Sequence, residues 1–239
     1  FCYEETDIPL DKRPEMDRWA LSALHSLITQ VDEHFGNYEP TKAARLISSF
    51  VNEDLSNWYV RLSRRRFWKG TYEEDKISAY QTLYTCLISV AKLMAPIAPF
   101  YADRLYQDLD TTTEKEQYAS VHLAYFPTAN NECIAVDLEK KMQLAQRIVS
   151  LVLSIRKKEK IKVRQPLQKV LIPALDSQEK RAIMEMSDLI AAEVNVKTIE
   201  ILDDASSILV KEIKPNYKTL GPRFGKEMKG VSDVIQGLN

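Results

Sequence analysis

The chain has 239 residues, of which 45% are apolar and 28% are charged, ordinary values for a soluble protein with a packed core. Its 6 Gly against 10 Pro argue against a turn-rich all-β fold and against Gly-rich phosphate-binding loops, so helices should dominate. The 33 basic and 34 acidic side chains give a net charge of −1, which taken alone gives no hint of a polyanionic partner.

The positions of the cysteine and histidine residues limit which disulfide or metal sites the chain could form. The three Cys are far apart without a CxxC pair, and the three His show no metal-ligand spacing. We therefore expect neither a disulfide framework nor a metal site, and a cytoplasmic setting fits better. No apolar run approaches the ~18 residues of a membrane span, and no signal peptide opens the chain. The first residue is Phe rather than Met, so we expect a piece of a longer protein.

Apolar residues at helical spacing predict the first two helices. The first covers residues 14–35, and Gly36 is placed to end it. The second run opens at Pro40 and is either one long helix to about Arg65 or two helices kinked near 52–54.

A third helix is predicted to start at 73–75, where acidic residues favour a helix N-terminus. Pro96 and Pro99 must break or kink it, because proline lacks the N–H that a helix needs. A shorter helix follows from about 100 to 109, and the polar residues 110–119 are predicted to be a loop.

The run VHLAYFP at 121–127 is short and β-prone, and it stops at Pro127. The first domain is predicted to end there, so that residues 1–127 form a bundle of four or five helices.

The second part, residues 134–239, has a different pattern of predicted elements from the first. It opens with a long helix at 137–160, and alternating β-like and helical runs follow. The predicted strands are 167–173, 196–202 and 207–213, and the predicted helices are 178–193 and 225–238. The expected fold class is therefore mainly α, a helical bundle followed by a small α+β domain.

The charge is near zero only on average. By segment, the net charges are −6 (1–57), +5 (58–70), −7 (71–139), +9 (140–169) and −2 (170–239). Two separated basic clusters in an otherwise acidic chain indicate a surface that meets a phosphate backbone at two places.

The first basic cluster is WYVRLSRRRFWKG, residues 58–70. Guanidinium groups match phosphate oxygens, and an exposed indole can stack on an unpaired base. The candidate RNA-contacting residues are Arg61, Arg64, Arg65, Arg66, Trp68 and Lys69. The alternative is that the cations merely favour a helix C-terminus and that Trp68 is a core residue. Trp19, Trp58 and Tyr59 lie on the apolar stripes and are predicted to be core.

The second basic cluster is RKKEKIKVRQP, residues 156–166, at the end of the long helix. Complementarity to the helix dipole accounts for two cations rather than six. The candidates for a second backbone contact are Arg156, Lys157, Lys158, Lys160, Lys162 and Arg164. The sequence contains no GxxxxGK[ST], GxSxG or HExxH motif, and it offers no candidate catalytic residues.

Six long segments of the chain carry a resemblance to one known family. In the first half these are MDRWALSALHSLI (16–28), LSNWYVRLSRRRFW (55–68) and LMAPIAPFYADRLYQDL (93–109). In the second half they are RQPLQKVLIP (164–173), AAEVNVKTIEIL (191–202) and NYKTLGPRFGKEMKGV (216–231). These segments resemble the anticodon-binding region of the class Ia aminoacyl-tRNA synthetases. Within that family they are most similar to the isoleucyl-tRNA synthetases.

The family's HIGH and KMSKS motifs, which handle ATP and the adenylate, are absent from these residues. The resemblance therefore implies a C-terminal fragment that holds the anticodon stem-loop of isoleucine tRNA for a catalytic domain of the same chain. It implies that ATP and Mg²⁺ are bound elsewhere, that this fragment holds no cofactor or metal, and that no membrane is involved. Two alternatives are the anticodon-binding region of a valyl-tRNA synthetase and a stand-alone helical RNA-binding adaptor.

Overall fold

A computed structural model describes residues 6–69, 71–174, 176–202 and 216–236. The chain forms two compact units, Phe1–Gln143 and Leu144–Asn239, and the boundary between them falls inside one long helix. The domain limits predicted from the sequence, 1–127 and 134–239, stay a prediction.

The first unit consists mainly of helices. They are α1 (Glu15–Gly36), α2 (Pro40–Ser49), a π-helix (Phe50–Val60), α3 (Arg64–Trp68), α4 (Glu74–Met94), α5 (Pro99–Thr113) and the beginning of α6 (Val136–Lys158). The apolar stripe of α1 packs against α2, the π-helix and α4, and Leu24 and Val31 in that stripe are fully buried. The predicted core position of Trp19, Trp58 and Tyr59 is confirmed, since they are 2%, 8% and 0% exposed.

The helical run that opens at Pro40 is continuous but not uniform. α2 ends at Ser49, and the chain continues from Phe50 to Val60 in the wider turns of a π-helix. The helical run is unbroken at 52–54, so the predicted kink there is wrong. The predicted single helix to about Arg65 agrees with the continuity of the run as far as Leu62, but the π-helical turns were not predicted. π-helical turns are rare and frequently lie at functional sites.

Pro99 is the first residue of α5, but the helix is longer than predicted. It continues to Thr113, where the sequence predicted a loop over 110–119. The hydroxyl groups of Thr111, Thr112 and Thr113 donate to carbonyl oxygens four residues earlier, at 2.7, 3.2 and 3.0 Å. Because the threonines bond to the helix's own backbone, they do not end it.

The β-prone run at 121–127 forms no strand within the described residues. Val121–Leu123 make a single 3₁₀ turn instead. The Asp103 side chain on α5 accepts hydrogen bonds from the Ser120 hydroxyl at 2.6 Å and from the Val121 N–H at 3.0 Å. Burial of Val121 against α5 thus replaces the strand pairing that its β-propensity favours.

His25 makes a pH-sensitive contact in the first unit. Its Nδ1 accepts the N–H of Asn130 at 3.1 Å, which requires a deprotonated nitrogen. Burial lowers the pKa of His25 below its ordinary value of 6.5. The unfolded chain therefore binds more protons in the window just below pH 6.5, and the free energy of unfolding should fall as the pH drops through that window.

The test is urea unfolding at about pH 7.5 and about pH 5.5. Replacing His25 with glutamine should make the difference in unfolding free energy between the two pH values smaller. An unchanged pH dependence in His25→Gln would show that other groups produce it.

The second unit contains the end of α6 and a two-stranded parallel sheet. The elements after α6 are β1 (Leu167–Pro173), α7 (Ser177–Glu185), α8 (Ser187–Val194), β2 (Val196–Leu202), α9 (Tyr217–Phe224) and α10 (Met228–Gln236). Leu167 lies opposite Val196, and α7 and α8 form the crossover that parallel strands require. The predicted bounds of both strands and the predicted fold class are confirmed. The third predicted strand, 207–213, lies outside the described residues.

Two helices predicted in this unit are interrupted. The predicted helix 178–193 divides at Met186, whose backbone (φ −96°, ψ 7°) is not helical. The predicted helix 225–238 begins instead with a 3₁₀ turn, Gly225–Glu227, followed by α10. Gly225 has φ +44°, a left-handed value that glycine adopts without strain, so the chain changes direction there.

Candidate nucleic-acid interface

The first basic cluster places cations and an aromatic ring on one exposed part of the first unit. The side chains of Arg61, Arg64, Arg65 and Lys69 are exposed. Trp68 is 67% exposed, so the alternative that it is a core residue is wrong. The guanidinium carbon of Arg64 lies 4.7 Å from the centroid of the Trp68 ring, a cation–π contact. A ring and a cation side by side are suited to an unpaired base and its phosphate.

Arg61 projects from the end of the π-helix. Its Nε donates to the carbonyl oxygen of Asn57 at 2.7 Å, which holds the guanidinium against the helix. Asn57 is itself exposed, so polar groups of the π-helix continue the surface that α3 begins. Asn57 was not among the predicted contacts, because nothing in its charge or periodicity distinguishes it from a solvated surface residue.

Arg66 does not share the exposure of its neighbours. Its side chain is 18% exposed. The guanidinium donates to both carboxylate oxygens of Asp17, at 2.6 and 2.9 Å, and to the carboxylate of Asp75 at 3.0 Å. The structure therefore gives Arg66 a different role from the predicted RNA contact, because its donors are already used inside the unit.

Asp17 is the centre of this buried network. Its carboxylate is fully buried and also accepts the Tyr59 hydroxyl at 2.9 Å and the Ser78 hydroxyl at 2.5 Å. Burial and the neighbouring Asp17 raise the pKa of Tyr59, so the phenol stays a donor. Burial alone lowers the pKa of Arg66, but the hydrogen bonds with Asp17 and Asp75 outweigh it and the pKa is raised.

The network joins four elements at one point. Asp17 belongs to α1, Tyr59 to the π-helix, Arg66 to α3 and Ser78 to α4. A short five-residue helix has little stability of its own. The Arg66 side chain therefore fixes α3 to the bundle, and α3 in turn presents Arg64, Arg65 and Trp68 to solvent.

The second basic cluster, like the first, consists of exposed cations and one arginine that is largely buried. The side chains of Lys157, Lys158, Lys160, Lys162 and Arg164 are exposed, on the last turn of α6 and the loop that follows it. Arg156 is 2% exposed, so the structure also removes it from the candidate RNA contacts. Its guanidinium donates to backbone carbonyl groups of the second unit.

A groove of about 700 Å³ lies between α4 and α5 in the first unit. Tyr72, Tyr80 and Tyr84 contribute to its walls. Tyr80 connects the groove to α3, because its ring packs 5.4 Å from that of Phe67 and its hydroxyl donates to the Phe67 carbonyl at 3.0 Å. The groove was not predicted, since its lining comes from segments far apart in the sequence.

The described residues offer no place for a metal: no three His, Cys, Asp or Glu side chains among them are grouped to bind one. Cys86 is fully buried, and burial raises the pKa of its thiol to about 12, which leaves it unreactive. None of the helices in the described part of the chain is long and apolar enough to span a membrane.

The class of protein follows from a comparison with known families. A family model described as the anticodon-binding domain of tRNA ligase matches residues 17–171. This range runs from the first turn of α1 into β1 and therefore includes both basic clusters. The chain belongs to the anticodon-binding domain family of tRNA ligases.

Curated relatives narrow the similarity to one kind of tRNA ligase. Isoleucine–tRNA ligase of Bacteroides thetaiotaomicron is 56% identical over all 239 residues. The corresponding enzymes of Porphyromonas gingivalis and Thermus thermophilus are 55% identical over 238 residues and 40% identical over 228 residues. The chain spans only 20–22% of the length of these relatives. The resemblance stated from the sequence is confirmed.

Proposed function

We propose that this chain is the part of an isoleucine–tRNA ligase that holds the anticodon stem-loop of isoleucine tRNA. The observation that carries the proposal is the exposed Arg64–Trp68 pair, which lies within the matched anticodon-binding domain. Relatives named isoleucine–tRNA ligase match the whole chain, which favours this tRNA over the valyl alternative.

The parent protein would join isoleucine to its tRNA with ATP and Mg²⁺ bound outside these residues. The relatives are about five times as long as this chain, which leaves room for a catalytic domain elsewhere. This chain would bind the tRNA and orient it, so that the acceptor end of the tRNA reaches the catalytic domain. We propose no catalytic role for the side chains of the two basic clusters.

The first basic cluster would bind the single-stranded loop. Sequence-specific RNA recognition acts mostly on unpaired bases, because side chains cannot enter the major groove of an A-form helix. Arg61, Arg64, Arg65 and Lys69 would bind phosphates, and Trp68 would stack on an unpaired base.

The second basic cluster would bind the phosphate backbone at another place. Its exposed members are Lys157, Lys158, Lys160, Lys162 and Arg164. Lysine is a compact point charge without the planar fork of arginine, so these contacts would add affinity and salt dependence rather than sequence preference.

Replacing Trp68 with alanine tests the stacking role. We expect the binding free energy for an isoleucine-tRNA anticodon stem-loop to weaken by about 1–3 kcal/mol, the usual contribution of one stacked base. The free energy of unfolding should change by less than about 0.5 kcal/mol, because the side chain is exposed. Fluorescence anisotropy with a labelled stem-loop measures the first quantity and urea unfolding the second.

The matched control is Tyr101→Ala, which removes another largely exposed aromatic ring, on α5, outside both basic clusters. It should leave stem-loop binding unchanged. Equal weakening by both substitutions, or no weakening by Trp68→Ala, would contradict the stacking role.

A further inference from the structure

Arg156 is a buried cation inside a cluster that otherwise faces solvent. Only 2% of the residue is exposed. Its Nη1 donates to the carbonyl oxygens of Lys162 and Gln165, both at 3.1 Å. Its Nη2 donates to the carbonyl oxygen of Asn195 at 3.0 Å. One side chain therefore holds the loop after α6 at two points and connects it to the start of β2.

The charge of Arg156 is balanced by dipoles rather than by an acid. None of the ion pairs between residues in the described ranges includes Arg156, and its buried Nε has no hydrogen-bond partner there. Three carbonyl groups and the negative end of the α6 dipole face the guanidinium. Burying a cation without an acid beside it is costly unless hydrogen bonds compensate for the lost hydration. The buried guanidinium therefore depends on these carbonyl groups staying in place around it.

Asn195 holds the same loop from the other side. Its Nδ2 donates to the carbonyl oxygen of Val163 at 2.8 Å. The residue has φ +52°, and its own carbonyl accepts both the Arg156 guanidinium and the N–H of Leu167 at 3.1 Å. Arg156 and Asn195 together therefore bind three carbonyl groups of the loop, those of residues 162, 163 and 165.

The loop presents its cations outward because its carbonyl groups are used inside. Lys160, Lys162 and Arg164 are exposed, and Lys160 adopts a left-handed backbone (φ +56°) that a loose chain rarely occupies. A loop that is already ordered loses less conformational entropy when it binds.

We propose that Arg156 and Asn195 are positioning residues for the second basic cluster: they hold the loop 159–166 so that its cations meet the RNA phosphate backbone together. This rests on the proposed function. It reassigns Arg156 from a phosphate contact to an internal support, and it adds Asn195, which carries no charge.

Asn195→Gly is the decisive variant, because glycine keeps the positive φ and the backbone carbonyl while the side chain with its Nδ2 donor is removed. The affinity for isoleucine tRNA at low salt should fall about threefold to tenfold, as expected when one or two side chains must be ordered on binding. The slope of log affinity against log salt should become shallower, by about 0.7–0.9 for each phosphate that the variant no longer binds. Arg156→Met should have the same effects. Arg156→Lys should not restore binding, since one ammonium group cannot span three carbonyls.

Lys197→Met is the matched control. It removes an exposed cation from β2 near Asn195 but outside the loop, and tRNA affinity should stay unchanged. Trypsin provides a readout without RNA: cleavage after Lys160 and Lys162 should be faster in Asn195→Gly than in the parent chain. Circular dichroism confirms that each variant is folded.

The outcomes separate the two proposals. A Lys157→Glu and Lys158→Glu double variant tests whether the cluster binds RNA at all, and unchanged affinity there would overturn both the second contact and the positioning role. If that double variant binds weakly while folded Asn195→Gly and Arg156→Met keep normal affinity, salt slope and cleavage rate, the positioning role alone is overturned.

Discussion

Replacing Asp17 with alanine is expected to lower the free energy of unfolding of the first unit by about 3–5 kcal/mol. The carboxylate is fully buried and accepts hydrogen bonds from Tyr59, Arg66 and Ser78. Removing it leaves the mostly buried guanidinium of Arg66 and two hydroxyl groups without their acceptor. α3 should be affected first, since Arg66 fixes this short helix to the bundle together with the buried Phe67.

Urea unfolding followed by tryptophan fluorescence measures the change, because Trp19 and Trp58 are buried in the same unit. Asp75→Ala is the matched control. Asp75 binds the same arginine, but its side chain is 59% exposed, so its removal should cost about 0–1 kcal/mol. Equal losses of stability in the two variants would show that the buried network is not the main support of α3.

Reversing the charge at Arg64 and Arg65 together is expected to weaken tRNA binding about 100-fold at low salt. Each hydrogen bond to a charged group contributes about 1.5–3 kcal/mol, and 1.4 kcal/mol corresponds to a tenfold change in affinity. The dependence on salt should also become shallower, by about 0.7 for each single-strand phosphate that is no longer bound. Because both side chains are exposed, folding should be preserved.

A second double variant, Arg18→Glu with Arg104→Glu, changes the net charge by the same amount. Both arginines are exposed and lie outside the two basic clusters. Titrations of labelled tRNA at several salt concentrations compare the two double variants. If both lose affinity equally, binding depends on net charge rather than on the face that α3 presents.

Much of the fold could be predicted because hydrophobic periodicity and proline positions are local signals. The bounds of β1 and β2 follow from short β-branched runs closed by polar residues or proline. The extension of α5 through Thr111, Thr112 and Thr113 could not be predicted in this way, because it depends on hydroxyl groups that bond back to the helix. The segment 121–127 has β-propensity, but its Val121 packs against α5 and no strand pairs with the segment within the described residues.

The candidate site could be predicted only in part. Spacing and charge identified the cations, and the structure shows that Trp68 is exposed and contacts Arg64. Their roles in RNA binding stay predictions. The same signals could not separate Arg66 from its neighbours, because its partner Asp17 lies 49 residues away. They also could not distinguish Arg156 from the exposed cations beside it. Its acceptors are backbone carbonyl groups, which every residue carries, so the sequence does not indicate them.

The most direct test of the proposed function is competition binding of this chain with isoleucine, valine and leucine tRNAs. Labelled isoleucine tRNA is bound at low salt, and each unlabelled tRNA is titrated against it. We predict that isoleucine tRNA competes at a concentration about tenfold lower than the other two, a difference of about 1.4 kcal/mol. Equal competition by all three tRNAs would contradict recognition of the isoleucine anticodon stem-loop by this chain.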